Sequence, residues 1–309
     1  MSALRLLLCA AVLAVVALCA SGSRHALAGD LLDTILESGE LRLGVRVDAP
    51  PFSRLEDGRP AGFSIDLCAL VAEEIATMMP EGTDLAVSHR PVGTGQRFDA
   101  LVTGHIDLLC GATTATLARR QKAAFSLPIY LTGISVAMRE KTGTGSARGT
   151  GTAAATIERV ARNGPSAEAG LRLGGLVLGV RRDTTAADWL DASPLPTLTG
   201  TKTRPYESHD SAFAALRTGE IDVYLADRTI LLGQIAVQGG AGVMLGEAFL
   251  THEPYALAVP RGEERLRLIV DRVLSRLYRS GEIATLYERY FGPPATSTLA
   301  FYRLIALPE

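Results

Sequence analysis

Residues 97–114 read RFDALVTGHIDLLCGATT, and residues 212–229 read AFAALRTGEIDVYLADRT. Both contain Phe-x-Ala-Leu-x-Thr-Gly-x-Ile-Asp, and both end on a threonine. Each spells a short helix, a glycine stop and an apolar strand with polar residues at its C-terminal end. In open α/β sheets, ligands bind outside the carboxyl ends of the strands. Two such units predict two lobes that face a common cleft.

Alternation of strand and helix continues on both sides of these units. LRLGVRV (41–47) predicts a strand and DAPPFS a loop; GFSIDLCALVAEEIATMMP (62–80) predicts a helix with Leu67, Val71, Ile75 and Met78 on one face and Pro80 as the stop. TDLAVSHRPV and GISVAMRE predict strands, and ATLARRQKA a helical turn or two. GLVLGV, RRDTTAADWLDA, SAFAALRTGE, IDVYLADRT, ILLGQIAVQ and EPYALAVP continue the series, and residues 263–292 supply two closing helices. The class is α/β, each lobe a mainly parallel sheet flanked by helices. Residues 141–174 are Gly/Thr/Ala-rich and read as a flexible excursion with a helix at 153–163.

The N-terminus reads as a targeting segment. Arg5 precedes the apolar run LLLCAAVLAVVALCA (6–20), and ALA at 26–28 matches a cleavage site. A secretory signal peptide over 1–28 therefore outranks a membrane anchor, for which the run is short. Export removes Cys9 and Cys19 and leaves Cys68 and Cys110. An even pair in an oxidising compartment favours a disulfide over two buried thiols. With no C-x-x-C and a net charge of −2, neither a zinc knuckle nor a nucleic-acid partner is indicated.

The order of LRLGVRVDAPPFSRLEDGRPAGFSIDLCALVAEEI, RFDALVTGHIDLLCGATTATLARRQKAAFSLPIY and GEIDVYLADRTIL resembles the family 3 extracellular solute-binding proteins of bacterial ABC transporters. The glutamate/aspartate binders among them are the most similar. The resemblance implies a two-lobe Venus-flytrap fold. Lobe 1 would comprise 41–130 plus 255–309, lobe 2 would comprise 134–251, and hinges would lie near 129–133 and 251–255. It implies a periplasmic monomer that captures a polar, acidic amino acid and delivers it to a membrane permease, with no cofactor, metal or catalytic residue.

Free amino acids present a carboxylate and an ammonium. By resemblance, Arg119 and Thr114 take the α-carboxylate, with Thr114 placed at the start of a helix, and the carbonyl of Ala112 takes the ammonium. Thr184 offers its hydroxyl and N–H from the other lobe, although Asp183 replaces the family's glycine. Asp227 pairs with the ammonium, since a buried ammonium needs a counter-charge. His209, Thr94 and Arg97 match pocket residues, and Phe52 matches an aromatic of the cleft entrance; a buried loop aromatic is the alternative for Phe52. Arg46, five residues before Pro51, matches the guanidinium that reads the ligand's side-chain charge. The alternative for Arg46 is a pair with Asp48 or Asp66.

Three rival readings are weighed. GTGTAA (149–154) formally fits a dinucleotide fingerprint, but it does not start at a strand end and export disfavours NAD. An enzyme on the same scaffold, acting on prephenate-like acids, is the first alternative, and the amino-acid set of Thr114, Arg119 and Asp227 argues for binding instead. A soluble ligand sensor is the second.

Overall fold

The computed structural model describes residues 30–139, 150–163 and 173–309. The signal-peptide expectation for 1–28 and most of the excursion at 141–174 lie outside the described residues. In chain order the elements are α1 (Leu31–Ser38), β1 (Glu40–Val45), β2 (Asp48–Ala49), β3 (Ser53–Glu56), β4 (Arg59–Ala61), α2 (Phe63–Ala76), β5 (Ala86–Pro91), α3 (Arg97–Val102), β6 (Leu108–Cys110), β7 (Ala123–Thr132) and β8 (Ile134–Arg139). There follow α4 (Thr150–Asn163), β9 (Val177–Arg181), α5 (Thr185–Ala192), α6 (Leu195–Thr199), β10 (Lys202–Tyr206), α7 (His209–Thr218), β11 (Val223–Asp227), α8 (Arg228–Gln238), β12 (Val243–Leu245), β13 (Glu253–Pro260), α9 (Glu264–Ser280), α10 (Glu282–Phe291) and α11 (Thr296–Ile305).

Two five-stranded sheets form the two lobes, in the orders β5-β1-β6-β13-β7 and β10-β9-β11-β8-β12. Each sheet has a run of three parallel strands and one strand opposed to the rest, β13 in the first and β8 in the second. The opposed strand is in each case the one that has just arrived from the other lobe. Only Gly133 separates β7 from β8, and a Cβ there would lie 1.9 Å from the Thr251 carbonyl oxygen of the return segment. A residue without a side chain is what lets the two crossing segments touch.

The sequence echo has a structural counterpart. Ile106 and Ile221 each fill the space above a glycine of the neighbouring parallel strand, Gly44 in β1 and Gly179 in β9. A Cβ on either glycine would come within 2.3 Å of the isoleucine Cδ1. The next residue, Asp107 or Asp222, accepts the backbone N–H of Arg42 (2.8 Å) or Val177 (3.0 Å). The repeated Gly-x-Ile-Asp therefore joins a helix stop, a packing knob and a carboxylate that ties down the adjacent strand.

Lobe 1 has the aromatic core. Phe52, Phe63, Tyr130, Tyr255 and Phe291 pack within 4.6 to 6.3 Å of one another, ring centre to ring centre. A disulfide joins Cys68 of α2 to Cys110 at the end of β6, with Cα atoms 6.2 Å apart. Both cysteines are fully buried, so the bridge pins the helix to the sheet just before the Gly111–Thr114 segment. Closing that loop of 42 residues contributes about 4 kcal/mol in the chain-entropy treatment.

Candidate functional site

Both sets of strand ends face one cavity between the lobes. It is lined by Arg46, Thr94, Arg97, Ala112, Thr114 and Arg119 from lobe 1, by Thr184, Thr185, His209, Asp227 and Ile230 from lobe 2, and by Tyr255. The structure thus brings together every residue singled out from the sequence for ligand contact except Phe52. That side chain is fully buried in the lobe 1 aromatic cluster, 5.0 Å from Tyr255 and 5.1 Å from Tyr130. Its ring is drawn into the core because four other aromatic rings surround it with edge-to-face and tilted contacts.

Thr114 does not begin a helix. The backbone there is extended and bridged to Tyr255, with Ala115 N–H donating to Pro254 O (2.9 Å) and Ala256 N–H to Thr113 O (3.0 Å). These bonds to β13 hold the segment out of helical geometry, and only a 3-10 turn at Arg119–Gln121 follows. Arg119 still reaches back, its Nη1 donating to Thr114 O (3.1 Å).

Arg46 takes the alternative pairing, with Asp48. Its Nη2 donates to Asp48 Oδ1 at 2.8 Å, and both residues are buried. Asp48 Oδ2 in turn accepts from Arg181 Nε (2.9 Å), lies 2.8 Å from Arg181 Nη2, and accepts the His209 N–H (3.3 Å). Two features aim Arg46 this way. Ser53 Oγ, at the start of the small β2-β3-β4 sheet, accepts Arg46 N–H (2.9 Å) and donates to Arg46 O (2.8 Å). Gly111 leaves room for the stem, since a Cβ there would lie 2.7 Å from Arg46 Cγ. Burial alone would raise the Asp48 carboxyl; Arg46, with His209 and Arg181, outweighs it and holds that carboxyl well below the usual carboxylate range.

Arg97 is placed differently. Its guanidinium bonds to the backbone carbonyls of Thr94 and Asp183, the latter at 3.3 Å, and its Nε is buried with no partner. Its charge centre also lies 4.6 Å from the Phe98 ring centre. Burial, then the guanidiniums of Arg119, Arg46 and Arg181, push Arg97 down to about 8. The Asp183 carboxylate pulls the other way. Thr94 Oγ1, next to it, is likewise buried with no hydrogen bond.

Asp227 ends β11 with its Oδ1 buried and unpartnered. Burial first, and the negative charge of Glu253 second, push it up to about 7, against the opposing pull of Tyr255 and Arg119. Burial also pushes His209 down to about 3, so its ring is neutral, and Nδ1 pairs with Tyr224 Oη at 2.6 Å. Thr184 caps α5: its Oγ1 donates to Arg181 O (2.7 Å) and accepts the Ala187 N–H (3.3 Å). The neighbouring Thr185, which sequence reasoning passed over, sends its hydroxyl to Glu253 instead. Thr184 and Thr185, at the start of α5, both line the cavity.

Arg181 and Glu253 were also missed. For Arg181 a signal existed: LGVR occurs at 43–46 and again at 178–181, at the end of the matching strand of each lobe. For Glu253, at the start of β13, nothing in the local sequence distinguishes a cleft acid from a surface one.

Two lobes with facing strand ends, crossing segments and a charged cavity between them define a two-lobe solute-binding protein. The chain belongs to the bacterial extracellular solute-binding proteins, family 3, whose sequence model matches residues 41–293. It is 25% identical to the L-cystine-binding protein TcyJ of Escherichia coli, over 86% of this chain and 88% of that protein. It is 26% identical to an L-glutamate/L-aspartate-binding protein of Pseudomonas aeruginosa, over 85% and 80%. Among solved structures, a histidine-bound transporter substrate-binding protein from Streptococcus pneumoniae shares the fold, with a TM-score of 0.68 at 20% identity, over 85% of this chain and 97% of that one.

Proposed function

We propose that this protein is the periplasmic binding component of an amino-acid ABC importer and that its best ligand is an acidic amino acid, glutamate or aspartate. The export pattern at the N-terminus and the family support the location and the role. The similar proteins named above bind cystine, glutamate or aspartate, and histidine. Ligand choice therefore rests on this chain's own charges.

Arg46, Arg97, Arg119 and Arg181 stand around the cavity with Asp48, Asp227 and Glu253, and Asp183 and Asp188 act on Arg97 and Arg119. The observation that carries the reading is Arg97, buried among three other guanidiniums, bonded to two backbone carbonyls and, among the described residues, in no ion pair, with Asp183 the one acid that acts on it. A buried charge without a counter-ion is costly, and closure on an anionic side chain removes that cost.

The roles follow. Arg119, Thr114 and the N-terminus of α5 at Thr184 and Thr185 hold the α-carboxylate, Asp227 and the Ala112 carbonyl hold the ammonium, and Arg97 with Thr94 takes the side-chain carboxylate. Arg46 contributes its free Nε, with Asp48 holding the rest of its guanidinium, and His209 lines the same pocket. The ligand draws the lobes together about the 129–133 and 251–255 crossings, since neither lobe alone supplies all these groups. A thermal-shift screen of the mature protein against the amino acids tests this. Glutamate or aspartate should raise the melting temperature most and in proportion to the logarithm of its concentration; a larger shift with lysine, arginine or glutamine contradicts it.

A further inference from the structure

Tyr224 of β11 is fully buried, its ring packed among Phe213, Leu216 and Leu231 in the core of lobe 2. Its hydroxyl lies 2.6 Å from Nδ1 of His209. Among the described residues Tyr224 Oη has no second hydrogen-bond partner. His209, the first residue of α7, is 5% exposed and lines the cavity. Its backbone N–H donates to Asp48 Oδ2 (3.3 Å), the carboxylate that holds Arg46. The ring therefore stands at the Arg46 end of the cavity.

These contacts decide which ring nitrogen carries the proton. A neutral imidazole donates from one nitrogen and accepts at the other. If Nδ1 carried the proton, it would donate to Tyr224 Oη and leave the phenolic O–H without an acceptor in an apolar core, which is costly. If Tyr224 donates to a bare Nδ1, both groups are satisfied and the proton sits on Nε2. The ring is neutral because burial, helped by the guanidiniums of Arg181 and Arg46, outweighs the pull of Asp48. Burial keeps the Tyr224 hydroxyl protonated as well. Nε2 has no hydrogen bond among the described residues, yet unlike Arg97 Nε it is not sealed from open space.

We propose that Tyr224 is a positioning residue that fixes His209 as a neutral Nε2–H donor facing the side-chain end of the cavity, so that the site favours an amino acid whose side chain ends in an oxygen acceptor and disfavours one that ends in an ammonium or guanidinium. The inference rests on the amino-acid-binding reading above and deepens it. Arg97 supplies charge there, and His209 supplies a hydrogen bond of fixed polarity. A cationic side chain would set its own donors against Nε2–H, with no acceptor for either.

Tyr224→Phe removes only the hydroxyl, and long-range ¹H–¹⁵N NMR of the histidine rings at pH 7.5 reads the tautomer. His209→Leu identifies the His209 signals by their loss. Without ligand the wild type should show the Nε2–H pattern, and Tyr224→Phe a mixture of tautomers. A wild-type ring in the Nδ1–H form overturns the proposal, whether or not any amino acid binds. In calorimetry Tyr224→Phe should bind L-glutamate about tenfold more weakly than wild type, the effect of one weakened hydrogen bond to a charged group. In the His209→Leu background, adding Tyr224→Phe should change affinity less than about twofold, because the two residues act as one unit. Equal losses in both backgrounds, the pattern of a merely structural tyrosine, overturn the proposal. So does a wild-type Nε2–H resonance that saturating glutamate leaves unmoved. If no amino acid binds, the functional reading fails instead, and the nitrogen spectra still decide the Tyr224–His209 pair.

Discussion

Asp48 joins Arg46 of its own lobe to Arg181 of the opposite lobe, at 2.8 Å on each side, in a buried ion triad that spans the cleft. Asp48 is held well below the normal carboxylate range, so its stabilising contribution is present above about pH 4, its unfolded value, and is lost as pH falls below that. Replacing Asp48 by Asn would leave two buried guanidiniums facing each other. Breaking such a pair costs about 3–5 kcal/mol. Urea denaturation at pH 7 should show a loss of that order, and the gap between Asp48→Asn and wild type should shrink as pH falls below 4. Equal stability at pH 7 would place the triad outside the energetics of the native state.

Gly233, inside α8, meets the carbonyl of Pro50 in the other lobe. A Cβ at Gly233 would lie 2.2 Å from Pro50 O. In an isolated helix, Gly→Ala is favourable by about 1 kcal/mol. Here the added methyl should keep the lobes apart, weakening ligand binding by about tenfold or more as an overpacking cost of 1–3 kcal/mol. Small-angle scattering at ligand saturation should give a larger radius of gyration for Gly233→Ala than for wild type. Identical radius and affinity would mean that the lobes do not meet at this point.

His209 is buried neutral, pushed down to about 3 chiefly by loss of solvent, with Asp48 pulling the other way. A depressed histidine stabilises the fold above its unfolded value near 6.5, and that contribution falls away as pH drops toward about 3. His209→Gln should therefore flatten the stability profile between pH 6.5 and 4 relative to wild type. Parallel profiles for the two proteins would remove His209 from the acid transition.

The Cys68–Cys110 bridge should be present in protein recovered from an oxidising compartment, and Cys68→Ala/Cys110→Ala should lose about 4 kcal/mol. Alkylation of two thiols in unreduced wild-type protein is the contrary result.

Much of the architecture was legible because it is written twice. The Gly-x-Ile-Asp echo encodes the same helix stop, knob and strand tie in both lobes, and LGVR ends the matching strands at Arg46 and Arg181. The three-stranded β2-β3-β4 sheet was passed over although Asp57-Gly58, both at positive φ, is a direct hairpin signal. Other features depend on contacts far apart in sequence. Thr114 reads locally as a helix cap, but Tyr255 of β13, far along the chain, draws it into an extended bridge. Phe52 reads as a cleft aromatic until Tyr130, Tyr255 and Phe291 arrive around it. Arg46 reads as the free guanidinium until Asp48 is seen to turn toward it.

The central claim is that the buried guanidinium of Arg97 selects an anionic side chain. Titration calorimetry of L-glutamate and L-glutamine into the wild type and into Arg97→Met at pH 7.5 tests it most directly. The account expects the wild type to bind glutamate at least a hundredfold more tightly than glutamine, the effect of about 3 kcal/mol from one buried charge pair, and Arg97→Met to lose most of that preference. Tighter binding of glutamine than glutamate by the wild type, or an unchanged preference in Arg97→Met, would contradict it.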